Sequence, residues 1–430
     1  MTVFSRFLEA AGFTTVYTPC HQLTHPWNES CIGAMADVVP RSLIYSLKTY
    51  LTFYTLAYGL RWARGRKIKI DQLIKDTLRS MAFLTSNMCL FLYVSCLLRQ
   101  FFGCYFWSSF YIAGVIGAYL SIIQESKKRR PVLALYLTNL ASESLFYQLR
   151  NRGYVSNIPH GVPLLFVIGL GLLFYFKAYG IKSDMHGILS FTHSLENDEK
   201  IKILNRLPDG IQNVIRRIRE KYSKSRECHH QHSCVSNILE SSLANFNKGL
   251  AVSVVLTALR SLSSPRNFFK NLLSTKTLAI PTFSALLPGI YHTVNCGLNR
   301  YSRLSPKSIM TIAGASSGAA MLAWPNLTIA MYILWKAIEN IYDHLADKGY
   351  LPRFKNGDVL LYSIVTGYIV GNCVVEPHAL RPGYYFGFIR GLTLNHIDYL
   401  NRQHLRPFGF DSDRIYRQSN EVVKIMAKPK

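Results

Sequence analysis

The sequence predicts an all-α multi-span membrane protein with two parallel repeats, each an amphipathic helix plus four transmembrane helices. Three observations predict it. Apolar runs long enough to cross a bilayer recur along the chain. A pattern of residues returns at a nearly fixed spacing. Basic residues are confined to the stretches between the runs.

The 430 residues are 49% hydrophobic and only 17% charged, against about 25% charged in an ordinary soluble domain. A hydrocarbon core of about 30 Å needs about 20 apolar residues as a helix. Candidate spans are Ser80–Leu98, Tyr105–Ile123, Pro131–Tyr147, Pro163–Tyr179, Leu278–Leu298, Ser308–Trp324, Leu327–Tyr342 and Val359–Val375. The formal net charge is +25. No nucleic-acid motif accompanies it, so anionic lipid head groups and orientation signals are the expected reason for the charge. Met1–Ala11 has no long apolar stretch and no small-residue cleavage site, so internal segments are expected to direct insertion.

The repeat starts at an offset of 200, with Lys48 and Lys248, Cys96 and Cys296, and Ile112-Ala113-Gly114 and Ile312-Ala313-Gly314. It continues at 196, with Tyr136 and Tyr332, Glu143 and Glu339, Gly153-Tyr154 and Gly349-Tyr350, and Gly161 and Gly357. The drop fits the insert Lys127-Lys128-Arg129-Arg130, which the second half lacks.

Each repeat opens on an amphipathic helix, Arg41–Trp62 or Phe246–Leu262, with a lysine near its middle. A lysine at mid-membrane costs about 2.5–3.5 kcal/mol. Both helices are therefore expected to lie at the interface, although either could span. Placing the basic stretches Arg61–Lys75, Lys127–Arg130, Lys177–Lys276 and the tail on one face gives four crossings per repeat and a common direction. The expected regions are a Cys/His-containing start (1–40), a first membrane repeat (41–180), a basic amphipathic linker (181–245), a second repeat (246–376) and a basic tail (377–430).

Several motifs could carry chemistry. Gly114 with Gly117, and Gly314 with Gly318, are small-residue pairs expected to let helices approach closely. Glu143 and Glu339 are matched acids within expected spans. They would line a polar path, or sit near the boundary beside Arg150 and Lys348. Cys20, His25 and Cys31 form one Cys/His cluster, and Cys228, His230 and Cys234 a second. Thiolates and imidazoles at such spacing can hold zinc, but a disulfide or a solvated loop fits as well. Cys89, Cys96, Cys104, Cys296 and Cys373 fall in or beside apolar segments and are expected to be packing residues. In the linker, Ile211–Tyr222 carries an apolar stripe, with Arg216, Arg217 and Arg219 available for lipid or a partner. No nucleophile, phosphate-loop or zinc-protease motif is present, so no enzyme activity and no cofactor are expected. Self-association is left open.

The chain resembles the transmembrane protein 135 family, also called peroxisomal membrane protein 52. The resemblance lies in Cys20, His25-Pro26 and Ser30-Cys31, in Phe83-Leu84-Thr85-Ser86-Asn87, and in Tyr136–Phe146. It continues in Ile312-Ala313-Gly314 with Gly318, Tyr362-Ser363-Ile364 and Leu380-Arg381-Pro382. The family is related to the inner-membrane protein-import translocase subunits. The Asp of their signature falls at Pro306 here. The resemblance implies multi-pass residence in mitochondrial and peroxisomal membranes. It also implies regulation of mitochondrial fission through a dynamin-like GTPase, with roles in peroxisome organisation and lipid metabolism. The alternative is a transporter or channel for a lipid or metabolite, with a path between the repeats.

Overall fold

The computed structural model describes residues 2–63, 69–156, 158–194, 205, 208–221, 228, 230, 232–261, 274–409 and 416. Its principal helices are α1 (Cys31–Ala63), α2 (Ile70–Phe102), α3 (Ser109–Ile122), α4 (Arg130–Asn151), α5 (Gly161–Ala178) and α6 (Asp209–Lys221). They continue as α7 (Cys234–Ser261), α8 (Thr275–Tyr301), α9 (Pro306–Ser317), α10 (Leu327–Asp347) and α11 (Gly357–Val375). The strands described are β1 (Thr15–Val16) and β2 (Tyr105–Phe106), paired antiparallel. Among the described residues the protein is all-α apart from that small ribbon.

Three of the described helices, α2, α5 and α11, are long and apolar enough to cross a membrane. Their outer faces keep Leu97, Phe101, Leu164, Ile168, Leu360 and Ile364 exposed. Lipid is the solvent that suits such faces. The other expected spans are also helical. However, α3 has 14 residues, so it is about 21 Å long, short of a bilayer core of about 30 Å. Helix α9 stops after 12 residues and continues as a 3-10 turn over Gly318–Leu322.

Local chemistry sets the boundaries. Gly103, at φ 76°, closes α2 in the left-handed conformation that a Cβ would penalise. Asn326 caps α10 by accepting from the Ile329 N–H at 3.1 Å. Ser305 caps α9 by accepting from the Ser308 N–H at 3.2 Å, and Pro306 follows where no N–H is needed.

The chain divides into two compact units, residues 1–156 with 354–430, and residues 157–353. In the first, α1 and α2 form an antiparallel hairpin. Ser46 pairs with Thr85 at 3.3 Å, Tyr54 with Ser80 at 3.0 Å and Tyr58 with Asp76 at 3.0 Å. The expected surface helix Arg41–Trp62 is thus part of a 33-residue helix that runs beside a candidate span. Helix α3 packs on α2, and α11 packs on both α3 and α4.

Asn372 is fully buried at the centre of the α11 contacts. Its Oδ1 accepts from Tyr111 at 2.9 Å and from Gln148 at 3.0 Å, and its Nδ2 donates to Ser144 at 3.1 Å. A buried amide costs little when its donors and acceptors are used in this way. The segment after α11 folds back over this unit in short turns. Arg402, only 1% exposed, donates to the Cys373 carbonyl, the Tyr385 hydroxyl and the Ile397 carbonyl. Residues 417–430 of the basic tail lie outside the described residues.

In the second unit, α7 and α8 form another antiparallel hairpin. Asn237 meets His292 at 3.2 Å, and Ser253 donates to the Thr277 carbonyl at 3.0 Å. Helix α5 packs on α9 and α10 around Phe166, Leu170, Phe174, Tyr291 and Ala313. Leu262, His229 and Tyr222 lie outside the described residues.

Candidate metal centres and an apolar cavity

The turn at His25 and the first turn of α1 bring Cys20, His25 and Cys31 together, and Cys96 on α2 completes the group. The second set is Cys228, His230 and Cys234, completed by Cys296 on α8. Within each quartet the ligand atoms lie within 4.8 Å of one another. The Cys20 and Cys31 sulfurs are 3.3 Å apart, the Cys228 and Cys234 sulfurs 3.7 Å, and Cys296 Sγ is 3.4 Å from His230 Nε2. Each quartet is complete within its own unit, so neither needs ligands from the other. Both trios stand out in the sequence, whereas Cys96 and Cys296 are expected there to be packing residues. The structure gives those two sulfurs a position among the ligands.

The histidines are oriented alike. His25 Nδ1 lies 2.8 Å from the Asn28 carbonyl oxygen, and His230 Nδ1 lies 2.5 Å from the His232 carbonyl oxygen. A carbonyl at Nδ1 fixes the proton there and leaves the Nε2 lone pair for a metal. His25 is fully buried, and its Nε2 has no hydrogen-bond partner. Burial, with the Cys31 thiol beside it, pushes the Cys20 thiol up. Three sulfurs and one imidazole in a closed site suit a soft-to-borderline, tetrahedral divalent ion.

The first unit also holds a cavity of about 730 Å³ between α1, α2, α4, α11 and the segment after it. Phe53, Phe83, Leu133, Leu137, Tyr384 and Phe388 form much of its apolar wall. Tyr50, Asn87, Tyr362 and Thr366 add neutral polar groups, and Arg129 and Arg381 add charge. Arg129 is paired with Glu125 at 2.9 Å, and Arg381 forms a two-point ion pair with Glu143. The lining is therefore mostly apolar, with its cations already compensated.

The remaining residues named from sequence fall as follows. The partner expected for Glu143 was Arg150, but Arg381 holds it. The partner expected for Glu339 was Lys348, but Lys336, one turn away at 2.8 Å, holds it. A Cβ at Gly114 would lie 2.8 Å from the Gly367 Cα, and one at Gly117 would lie 2.9 Å from the Phe91 nitrogen. Gly314 faces the Phe174 ring, and a Cβ at Gly318 would lie 2.6 Å from the Val167 Cα. On α6, Arg216 and Arg217 are exposed. Arg219 instead turns onto α7 and pairs with Glu240 at 2.7 Å, which takes it out of the expected binding face.

No solved structure matches the chain. Residues 17–149 match the family model described as the N-terminal cysteine-rich region of Transmembrane protein 135. The matched segment contains Cys20, His25, Cys31 and Cys96, the whole first quartet. On that match, residues 17–149 of this helical chain carry the cysteine-rich region of the transmembrane protein 135 family.

Proposed function

We propose that this chain is a non-enzymatic regulator in mitochondrial and peroxisomal membranes that recruits a dynamin-like GTPase, and so acts on mitochondrial fission and peroxisome organisation. The observation that carries this reading is the outer face of α6. Ile211 and Val214 are exposed beside Arg216 and Arg217, while Ile215 is buried and Arg219 is held by Glu240. Such a face suits an acidic partner with an apolar anchor, or an anionic lipid surface that brings the partner near. Charge reversal of Arg216 and Arg217 together is expected to weaken GTPase recruitment about tenfold, roughly 1.4 kcal/mol. Co-sedimentation of the GTPase with vesicles carrying the protein measures this. Unchanged recruitment would remove the reading.

The scaffold is read as two copies of one five-helix unit that exchange their closing helices. Several features support this beyond the sequence matches. Gly153 and Gly349, 196 residues apart, have φ of 78° and 79°. His160 and Asn356, at the same spacing, both take positive φ just before α5 and α11. Each copy, α1–α5 and α7–α11, opens on an antiparallel hairpin. Helix α5, from the first half, packs on α9 and α10, while α11, from the second half, packs on α3 and α4.

The cavity favours a second reading, in which the protein holds a lipid. Its volume of about 730 Å³ lies within the roughly 300–1,000 Å³ of small-molecule sites. A mainly apolar molecule with one neutral polar end suits its lining. Leu137→Trp fills the space and is expected to reduce the lipid that co-purifies with the protein, read by mass spectrometry of an organic extract. Equal amounts in the variant and the parent would count against this reading.

A further inference from the structure

We propose that the chain binds two structural zinc ions, one at Cys20, His25, Cys31 and Cys96, and the other at Cys228, His230, Cys234 and Cys296. The inference stands apart from the recruitment and lipid readings. It rests on the geometry of the two quartets and on what surrounds them.

The cysteines converge. Six of the nine cysteines, scattered over 277 positions from Cys20 to Cys296, are gathered into two groups of the same composition. Packing alone does not demand a histidine in each group, nor a backbone carbonyl at Nδ1 of each histidine. A metal demands both, because the ring must present a lone pair in a fixed direction. The unpartnered Nε2 of His25 is what zinc would satisfy.

The two quartets also occupy matching places in the fold. In each quartet the third ligand is the first residue of a long helix, Cys31 of α1 or Cys234 of α7. The fourth sits near the end of the next long helix, Cys96 in α2 or Cys296 in α8. The metal therefore closes the open end of each antiparallel hairpin and ties down the segment that leads into it. Arg99, one turn beyond Cys96, reinforces this. It donates to the Tyr17 and Thr18 carbonyls at 2.9 and 3.0 Å, holding the strand that leads to Cys20. A guanidinium there also suits the single negative charge that three thiolates and one imidazole leave on zinc.

The ligand number fixes the role. Four protein ligands leave no open position for water or substrate, which is the signature of a structural rather than a catalytic zinc. A Cys20–Cys31 disulfide is the competing chemistry. It would consume two sulfurs and leave Cys96 and the His25 Nε2 without a function.

The test is metal content of the full chain purified in detergent without added metal or chelator. Elemental mass spectrometry is expected to give two zinc per chain. Cys96→Ser and Cys296→Ser should each give one, the double variant none, and Cys89→Ser two, since Cys89 stands outside both quartets. Should the serine variants fail to fold, the parent chain still decides the matter. Its six quartet thiols should resist alkylation until a strong chelator is added, and should then be labelled along with loss of zinc. A parent chain without zinc, a Cys20–Cys31 disulfide in the chain as purified, or a zinc content indifferent to both serine substitutions overturns the proposal.

Discussion

Arg381→Met is expected to destabilise the folded protein by about 3–5 kcal/mol, and Glu143→Gln in the same chain is expected to recover most of that loss. Glu143 is 5% exposed on α4. Its carboxylate receives both the Nε and an Nη of Arg381, which lies beyond α11. Removing the guanidinium leaves a buried carboxylate without its counter-charge, beside an apolar cavity that cannot solvate it. Removing the acid as well leaves a neutral amide, so the double variant should be much closer to the parent than the single one. The midpoint of thermal loss of the monodisperse peak in detergent gives the comparison. A single variant as stable as the parent, or a double variant no better than the single, would mean that the pair contributes little.

Gly367→Leu is expected to have an effect of similar size by a different route. Helices α3 and α11 touch backbone to backbone. A Cβ at Gly367 would lie 2.7 Å from the Val115 nitrogen and 2.9 Å from the Tyr111 carbonyl oxygen. Backbone cannot move aside as a flexible side chain can. Overpacking in a core typically costs about 1–3 kcal/mol, and more when no rotamer relieves it. In a membrane the close approach of small residues is itself much of the driving force for association. Separation of α11 from α3 would also break the hydrogen bonds that Asn372 makes to Tyr111, Gln148 and Ser144.

Hydropathy made the helices legible, because an apolar run of adequate length has few other uses. It carries no information on which helix packs on which. The packing of α5 on α9 and α10, and of α11 on α3 and α4, therefore could not be read from it. The Cys/His trios were legible because their members lie within a dozen residues of one another. Cys96 and Cys296 were not, since each lies more than 60 residues beyond Cys31 or Cys234 in a segment where cysteine ordinarily packs. A signal was present all the same: the repeat pairs Cys96 with Cys296 at an offset of 200.

Local charge reasoning offered Arg150 to Glu143, whose ion-pair partner is Arg381, 238 residues away. It also offered Arg219 to a partner, when Glu240 on α7 already holds it. Both errors have one origin. A charge near a helix looks free until the fold brings its complement from elsewhere.

The central structural claim is that α11, late in the sequence, closes the helices of the first half. Disulfide capture measures this most directly. Ser144 on α4 and Asn372 on α11 are hydrogen-bonded at 3.1 Å, so Ser144→Cys with Asn372→Cys should cross-link under mild oxidation in the membrane. After cleavage at a protease site inserted near residue 200, the halves should remain joined until reductant is added, and Gly367→Leu should abolish the link. A control pair, Ser144→Cys with Val359→Cys, is displaced by 13 residues along α11, about 20 Å, and should not link. Halves that separate without reductant, or a control pair that links equally well, would contradict the account.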